Sequence, residues 1–318
     1  MFGSKKSVAK PKAEKAPKSK DKNKLEGAGL SLQSNGLFYV EVRGTRSGYK
    51  VTRATKISSS GSVDQDHITN FNNLDNRFAE LAKSVKFSTP VCVGIPFRDF
   101  QSKILEFPDM EKENALESLR MQFGSAFSSL TEATALYDIF KLDFPNVSGR
   151  GDTAQYLAIA TRKDVISRLQ NSVSYVRMTT AAIEPGEIAM ARALGDVADA
   201  GKVFWMSVWV AGDSIHMTTM YDDNPIQFRV TVLNGQGDER INGLPDIIRS
   251  QVQMMESTGM RPERVVICGD LSLDAVEEEI QSQLNAEIVT AGIEDMWPID
   301  AGGFDLTGFE CAMALAMR

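Results

Sequence analysis

Few residues in this chain are of a type and spacing that could do chemistry. Gly212-Asp-Ser-Ile-His216 places a hydroxyl and an imidazole two residues apart, the pattern of a nucleophile and its base. It lacks the second glycine of a strand-to-helix nucleophile elbow. On a strand, residues i and i+2 share a face, so Ser214 and His216 are read as neighbours on one face of a strand. Asp222-Asp223 stands before Asn224-Pro225 and reads as turn chemistry. Cys92, Cys268 and Cys311 are an odd number, far apart, each within an apolar run. They read as small buried hydrophobes in a reducing compartment. With only His67 and His216 as histidines, no Cys/His cluster has metal-ligand spacing. There is no G-x-x-x-x-G-K-[ST] phosphate loop.

The elements that position these residues follow from pattern. The 318 residues suit two domains, with room for a small third. Charge is unevenly spread. Residues 1–26 hold nine lysines against Glu14, Asp21 and Glu26, a net of +6, which leaves −13 on the rest of a chain of net charge −7. Residues 1–27 are rich in Lys, Ala, Ser and Pro and are expected to form a disordered arm. Such an arm is either a solvated tail or a segment attracted to anionic lipid or an acidic partner. A basic arm on an acidic body is not a basic folded face, so no nucleic-acid partner is expected. The N-terminus lacks the apolar stretch of a secretory signal. The longest strongly apolar run, residues 203–211, is far short of the ~20 residues a membrane helix needs. A cytoplasmic protein is expected.

Order is predicted from Gly29. The turn Ser34-Asn35-Gly36 between apolar runs is a hairpin signal, and residues 30–33, 37–42 and 49–57 form a three-stranded meander. A polar loop and a helix over 74–85 follow. From Pro90 to Val176 the order is strand, strand, helix, strand, strand, helix, a compact α+β unit inside a larger chain. Its first helix is predicted to open at Asp109, with Asp109, Glu111 and Glu113 in the first turn, and Thr161-Arg-Lys-Asp164 reads as a capping box before its second. Loops are read at 146–152 and 234–243. After a helix at 187–194 and a linker at 197–202, a second meander runs through 203–210, 214–220 and 226–233. Pro245 opens a helix; a strand at 264–268, a helix at 272–284, a strand at 286–289 and a small-residue helix at 302–317 complete the chain. One motif therefore occurs twice, starting near Gly29 and Val203, and points to two similar lobes facing a cleft.

The duplicated meander, the inserted unit and the Gly269-Asp270 turn before a helix resemble the actin-like ATPase fold. More narrowly, residues 29–36, the inserted unit with Phe107-Pro-Asp-Met-Glu and residues 157–165, residues 182–194, and Val265-Val-Ile-Cys-Gly-Asp270 resemble the PilM family of type IV pilus assembly. The resemblance covers nearly everything after residue 28. It implies an α/β chain of two RNase H-like lobes with an inserted α+β subdomain. The first lobe is 28–88, completed by 183–200 and 303–318; the inserted unit is 89–182; the second lobe is 201–302.

It also implies a nucleotide cleft whose matching positions are Ser31, Gln33, Ser34, Asn35, Gly36, Gly212, Asp213, Ser214, Gly269 and Asp270. The family's first phosphate loop resembles G-[IL]-D-I-G-[ST]. Here Ser31 stands at the acid, although a divalent cation prefers carboxylate oxygen, and Gln33 stands at a glycine that phosphate approaches. Val210 replaces the acid of the second loop, and Asp270 replaces the second glycine of the adenosine turn. No cofactor is expected, ATP with Mg is disfavoured, and no catalysis is expected. What remains is a non-catalytic cytoplasmic scaffold of type IV pilus or type II secretion machinery at the inner face of the inner membrane. It would bind the cytoplasmic N-terminal segment of a PilN-like membrane protein beside the inserted unit, and other assembly proteins. The alternatives are an actin-fold ATPase or kinase and a filament-forming protein of the FtsA kind, whose C-terminal amphipathic membrane helix has no counterpart in a chain closing at Arg318.

Overall fold

The computed structural model describes residues 26–143, 153–199, 201–233, 242–270 and 274–318. The sequence-based readings of residues 1–25, of the loop at 146–152, of most of the loop at 234–243 and of the helix start at Ser272 lie outside these.

Three antiparallel strands, β1 (Glu26–Gln33), β2 (Gly36–Gly44) and β3 (Tyr49–Ile57), open the structure. A two-residue hairpin follows, β4 (Val63–Asp64) and β5 (His67–Ile68), inside what the sequence shows only as a polar loop. Helix α1 (Phe71–Ser84) starts on Asn70, whose side chain accepts the Asn73 N–H, and buries Leu74, Phe78 and Leu81. Side chains of this size contribute about 1.5–3 kcal/mol each on burial. Strand β6 (Val91–Ile95) then lies parallel to β1. The inserted unit has β7 (Phe100–Pro108), α2 (Lys112–Met121), α3 (Phe123–Ala126), β8 (Ala135–Lys141), β9 (Thr153–Arg162) and α4 (Lys163–Tyr175). Strand β10 (Thr180–Pro185) and helix α5 (Gly186–Ala198) lead to the second half. There follow β11 (Phe204–Ala211), β12 (Ser214–Tyr221), β13 (Asn224–Val232), α6 (Leu244–Ser257), β14 (Arg264–Gly269), α7 (Asp274–Gln283), β15 (Glu287–Thr290), α8 (Ile293–Met296), β16 (Ile299–Asp300) and α9 (Glu310–Ala316).

The two large sheets repeat one topology. The first runs β10-β6-β1-β2-β3-β16 and the second β15-β14-β11-β12-β13. In each, an antiparallel meander is extended on its first strand by two parallel strands, β6 and β10 in one and β14 and β15 in the other. The repeat read from residues 29 and 203 is thus present in strand order and direction. A separate three-stranded sheet, β7-β9-β8, forms the inserted unit.

Several boundaries differ from the sequence reading. Strand β1 begins at Glu26, so two residues assigned to the arm pair with Arg43 and Val42. Helix α2 opens at Lys112, not Asp109; only Glu113 lies in its first turn, while Asp109 pairs with Lys141 at 2.6 Å. Thr161 caps nothing: it is the second-last residue of β9, where its hydroxyl donates to the Asp99 carbonyl, and α4 starts without a side-chain cap. Helix α5 extends past the predicted 187–194 into the first two residues of the predicted linker, ending at Ala198. The closing helix begins at Glu310 rather than Gly302, because Gly302, Gly303 and Gly308 take φ of 63°, 84° and 83°, outside helical space.

That short helix packs closer to β1 than any side chain on the strand would allow. A Cβ at Gly29 would stand 1.9 Å from the Ala312 carbonyl oxygen, and one at Gly27 would stand 1.9 Å from that of Ala316. The two glycines and the alanines of α9 are a matched contact in the core. Gly29→Val is expected to destabilise the chain by about 3 kcal/mol or prevent its accumulation, since the obstruction is backbone. Gly124→Ala in α3, where an added methyl meets nothing within 4 Å, is expected to stabilise by up to about 1 kcal/mol. Urea denaturation of both variants checks the contrast.

Candidate functional site

The tips of the two repeated hairpins meet. Gly212 takes φ 59°, and a Cβ there would stand 2.9 Å from Ser34 Oγ, so only glycine lets the β11–β12 turn reach the β1–β2 turn. Ser34 Oγ donates to Asp213 Oδ1 at 2.5 Å, and Ser214 Oγ donates to the same oxygen at 3.3 Å. Asn35 Nδ2 donates to Asp270 Oδ2 at 3.1 Å, and the Gly212 N–H donates to that oxygen at 3.2 Å. Gly36 closes the first hairpin against Gln33. Gly269, at φ 145°, lies against the Val210 carbonyl, where a Cβ would stand at 2.2 Å. Ser31 and Gln33 are buried below: Gln33 Nε2 donates to Ser31 Oγ at 3.0 Å and to the Gly308 carbonyl at 3.4 Å.

All ten residues singled out in the sequence therefore lie around one junction. The donors that could receive a phosphate there already hold carboxylates. Ser34, Asn35 and the Gly212 amide are spent on Asp213 and Asp270. A phosphate placed against them would face two like charges, and one such pair at about 4 Å costs roughly 4 kcal/mol near a protein surface. Among the described residues no cluster of three or more His, Cys, Asp or Glu could hold a metal ion. Beside the junction Gly269, Asp270 and Glu310 line an open cleft of about 520 Å³ with Ile293, Phe304 and Thr307.

Next to the junction is a polar cluster that the sequence did not reveal. His216 is buried on β12 and stacks on Trp209, with ring centroids 4.5 Å apart. Its Nδ1 lies 2.8 Å from Glu187 Oε1 on α5, and its Nε2 lies 3.5 Å from Asp66 Oδ1 in the β4–β5 turn. Both ring nitrogens face carboxylates while Ser214 is engaged with Asp213, so His216 and Ser214 are face neighbours, as the alternation predicts. Burial pulls the imidazole pKa down, but Asp66 and the hydrogen-bonded Glu187 outweigh it, and the pKa is raised. Glu310, at the start of α9, is also buried. Burial pushes its pKa up to about 7 against hydrogen bonds from backbone N–H groups, its own and that of Gly308, and the charge of Asp270 adds to the rise. Asp66, Glu187 and Glu310 carry no sequence signal, because their partners lie far away along the chain.

A groove lies between the inserted unit and α5. One wall is the face of β8 and β9 turned away from α2, with Leu136 and Phe140, 42% and 45% exposed, and Ile159. The other is Ile183, Pro185 and Ile188. It encloses about 530 Å³. At its rim Arg192 and Arg318 share one carboxylate, Glu184, at 2.8 and 3.4 Å, and Asp138 of β8 pairs with Lys112.

No family model and no curated protein sequence matches the chain. Solved structures do. The PilM–PilN type IV pilus biogenesis complex aligns with a TM-score of 0.76 at 15% identity, covering 93% of this chain and 98% of the matched one. The cytoplasmic domain of EpsL, an inner-membrane component of the type II secretion system of Vibrio cholerae, aligns with a TM-score of 0.51 at 9% identity, covering 92% and 94%. A Bacteroides thetaiotaomicron protein described as having an actin-like ATPase fold and unknown function aligns at 0.49 and 14% identity, covering 86% and 95%. The chain has an α/β fold similar to that of the chain it matches in the PilM–PilN complex.

The buried carboxyl of Glu310 sets a pH dependence. A group whose folded pKa is raised contributes stability that is present below its unfolded pKa and lost as pH rises through the folded one. The window here runs from the ordinary carboxyl value of 4.5 to about 7. Over it wild type should lose about 3 kcal/mol relative to Glu310→Gln, and the raised His216 adds a loss of the same sign at higher pH. Unfolding free energies of the two proteins from acid to neutral pH check this; parallel curves would contradict it.

Proposed function

We propose that this chain is a non-catalytic adaptor of type IV pilus or type II secretion machinery, working in the cytoplasm at the inner face of the inner membrane. In this reading it grips the cytoplasmic N-terminal segment of a PilN-like membrane protein. The observation that carries the reading is the groove beside the inserted unit. An apolar trough with two arginines sharing one carboxylate suits an extended segment that offers apolar side chains and an acidic group. The likeness to a PilM bound to PilN supports the choice of partner. Among the described residues no helix is long and apolar enough to cross a membrane, which fits an adaptor that reaches the membrane through a partner. We divide the chain into two lobes, 28–88 with 183–200 and 303–318, and 201–302, with 89–182 inserted between them. The ten junction residues are in this view the remnant of a nucleotide cleft, closed by its own carboxylates. An ATPase or kinase would need those carboxylates to leave the donors they hold.

Phe140→Glu and Leu136→Glu place charge in the trough at exposed positions. Each is expected to weaken binding of a peptide from the PilN-like N-terminus at least tenfold in a calorimetric titration, with the melting temperature unchanged. Unaltered binding would remove the groove from the reading. Magnesium ATP is expected to leave the melting temperature of wild type where it was.

A further inference from the structure

One end of the first sheet collects four cations, three of them without a carboxylate partner among the described residues. Arg53 on β3, Lys83 and Lys86 at the end of α1, and Arg177 just after α4 line an open cleft of about 580 Å³, with Phe87 and Val176 in its floor. Among the described residues Lys83, Lys86 and Arg177 have no carboxylate partner. Arg53 is 3.6 Å from Glu41, which already accepts the Tyr39 hydroxyl, and Arg53 donates to the Lys86 carbonyl at 2.7 Å. A cation at a helix C-terminus offsets the helix dipole. That accounts for Lys83, in the last turn of α1, but not for the group. On a body of net charge −13 outside the arm, such a concentration is not what mixed surface charge produces.

Two further observations point the same way. Tyr175, the last residue of α4, is 78% exposed beside Arg177. An aromatic ring with a polar tip next to basic residues is the pairing favoured at a membrane–water boundary. The strand register supplies the other. Ala28 pairs with Val91, and Val91 pairs with Thr180, so the starts of β1, β6 and β10 lie side by side. Lys86 and Phe87 lead into β6, and Arg177 leads into β10. Residue 25, the end of the lysine-rich arm, therefore joins the described chain at this same end, and all nine arm lysines are tethered there.

We propose that this end of the first sheet is a docking face for a bilayer surface rich in anionic lipid, with Lys83, Lys86, Arg177 and Arg53 meeting headgroup phosphates and Tyr175 seated at the interface. A bilayer fits better than an acidic peptide, because the cations are spread over the ends of two helices and a strand. An extended anionic plane can meet all of them at once. The face is separate from the groove and stands without the adaptor reading.

The test is co-sedimentation of the full chain with vesicles of phosphatidylcholine alone or with about 30% phosphatidylglycerol, at low and high salt. Wild type should bind the anionic vesicles and be released by salt. Lys83→Glu, Lys86→Glu and Arg177→Glu combined should weaken binding at least tenfold at unchanged melting temperature, with Lys83→Gln and Lys86→Gln together giving a smaller loss. Tyr175→Ser should also weaken it. A chain with all nine arm lysines changed to glutamine should keep a residual affinity that the triple reversal removes. Phe140→Glu, which tests the groove, should bind vesicles as wild type does. Binding of the triple variant equal to wild type would overturn the proposal, as would a wild type that ignores anionic vesicles but binds polyglutamate.

Discussion

The structure turns on two carboxylates that hold two hairpin tips together. Asp213 accepts from Ser34, and Asp270 accepts from Asn35 and from the Gly212 amide. Turn tips carry hydrogen-bonding groups that need partners wherever they are removed from water. In a clamp built to hold an anion, the anion supplies them. Here the chain supplies its own, from the opposite half. The same contacts that satisfy the tips therefore join the two repeated sheets. Gly212 is what permits the approach, by its backbone angle and by the lack of a side chain facing Ser34.

The closure is backed by a second, drier layer. Glu187, His216 and Asp66 come from α5, β12 and the β4–β5 turn, so this one cluster ties helix α5, the second meander and a small hairpin of the first half. Buried ion pairs are weak evidence for stability, because the desolvation of both partners offsets their attraction. They are better at fixing geometry, since any other arrangement leaves a charge buried and unpaired. Beside them Phe100 packs edge-to-face on Phe228, with ring centroids 6.1 Å apart, and carries the inserted unit onto β13. Polar and aromatic contacts together hold the three parts in one arrangement.

Away from the junction, two surfaces stand out. The three-stranded sheet of the inserted unit is covered by α2 on one face, where Ala135, Tyr137 and Ile139 pack. Leu136 and Phe140 alternate with them and so face the other way, into the groove. A strand with apolar residues on both faces expects cover on both. The basic end of the first sheet is the electrostatic counterpart: Lys83, Lys86 and Arg177 gather there without a carboxylate partner among the described residues.

Much of this was legible in the amino-acid sequence. Asn35-Gly36 and Gly212-Asp213 between apolar runs mark the hairpins, and two meanders at matching points announce the repeat. Turn geometry and strand alternation are local, so residue type and spacing determine them. The residues that meet at the junction were legible as a set as well. What Asp213 and Asp270 do there was not, because each meets a partner 179 and 235 residues away. For the same reason the sequence was silent on Asp66, Glu187 and Glu310, and it placed the start of the last helix eight residues early, where three glycines turn the backbone out of helical space. By itself the sequence determined which strands form and that they form twice. Only the tertiary structure decided which charges are buried together and which apolar face is left open, because burial and charge pairing depend on distances in space that separation along the chain does not set.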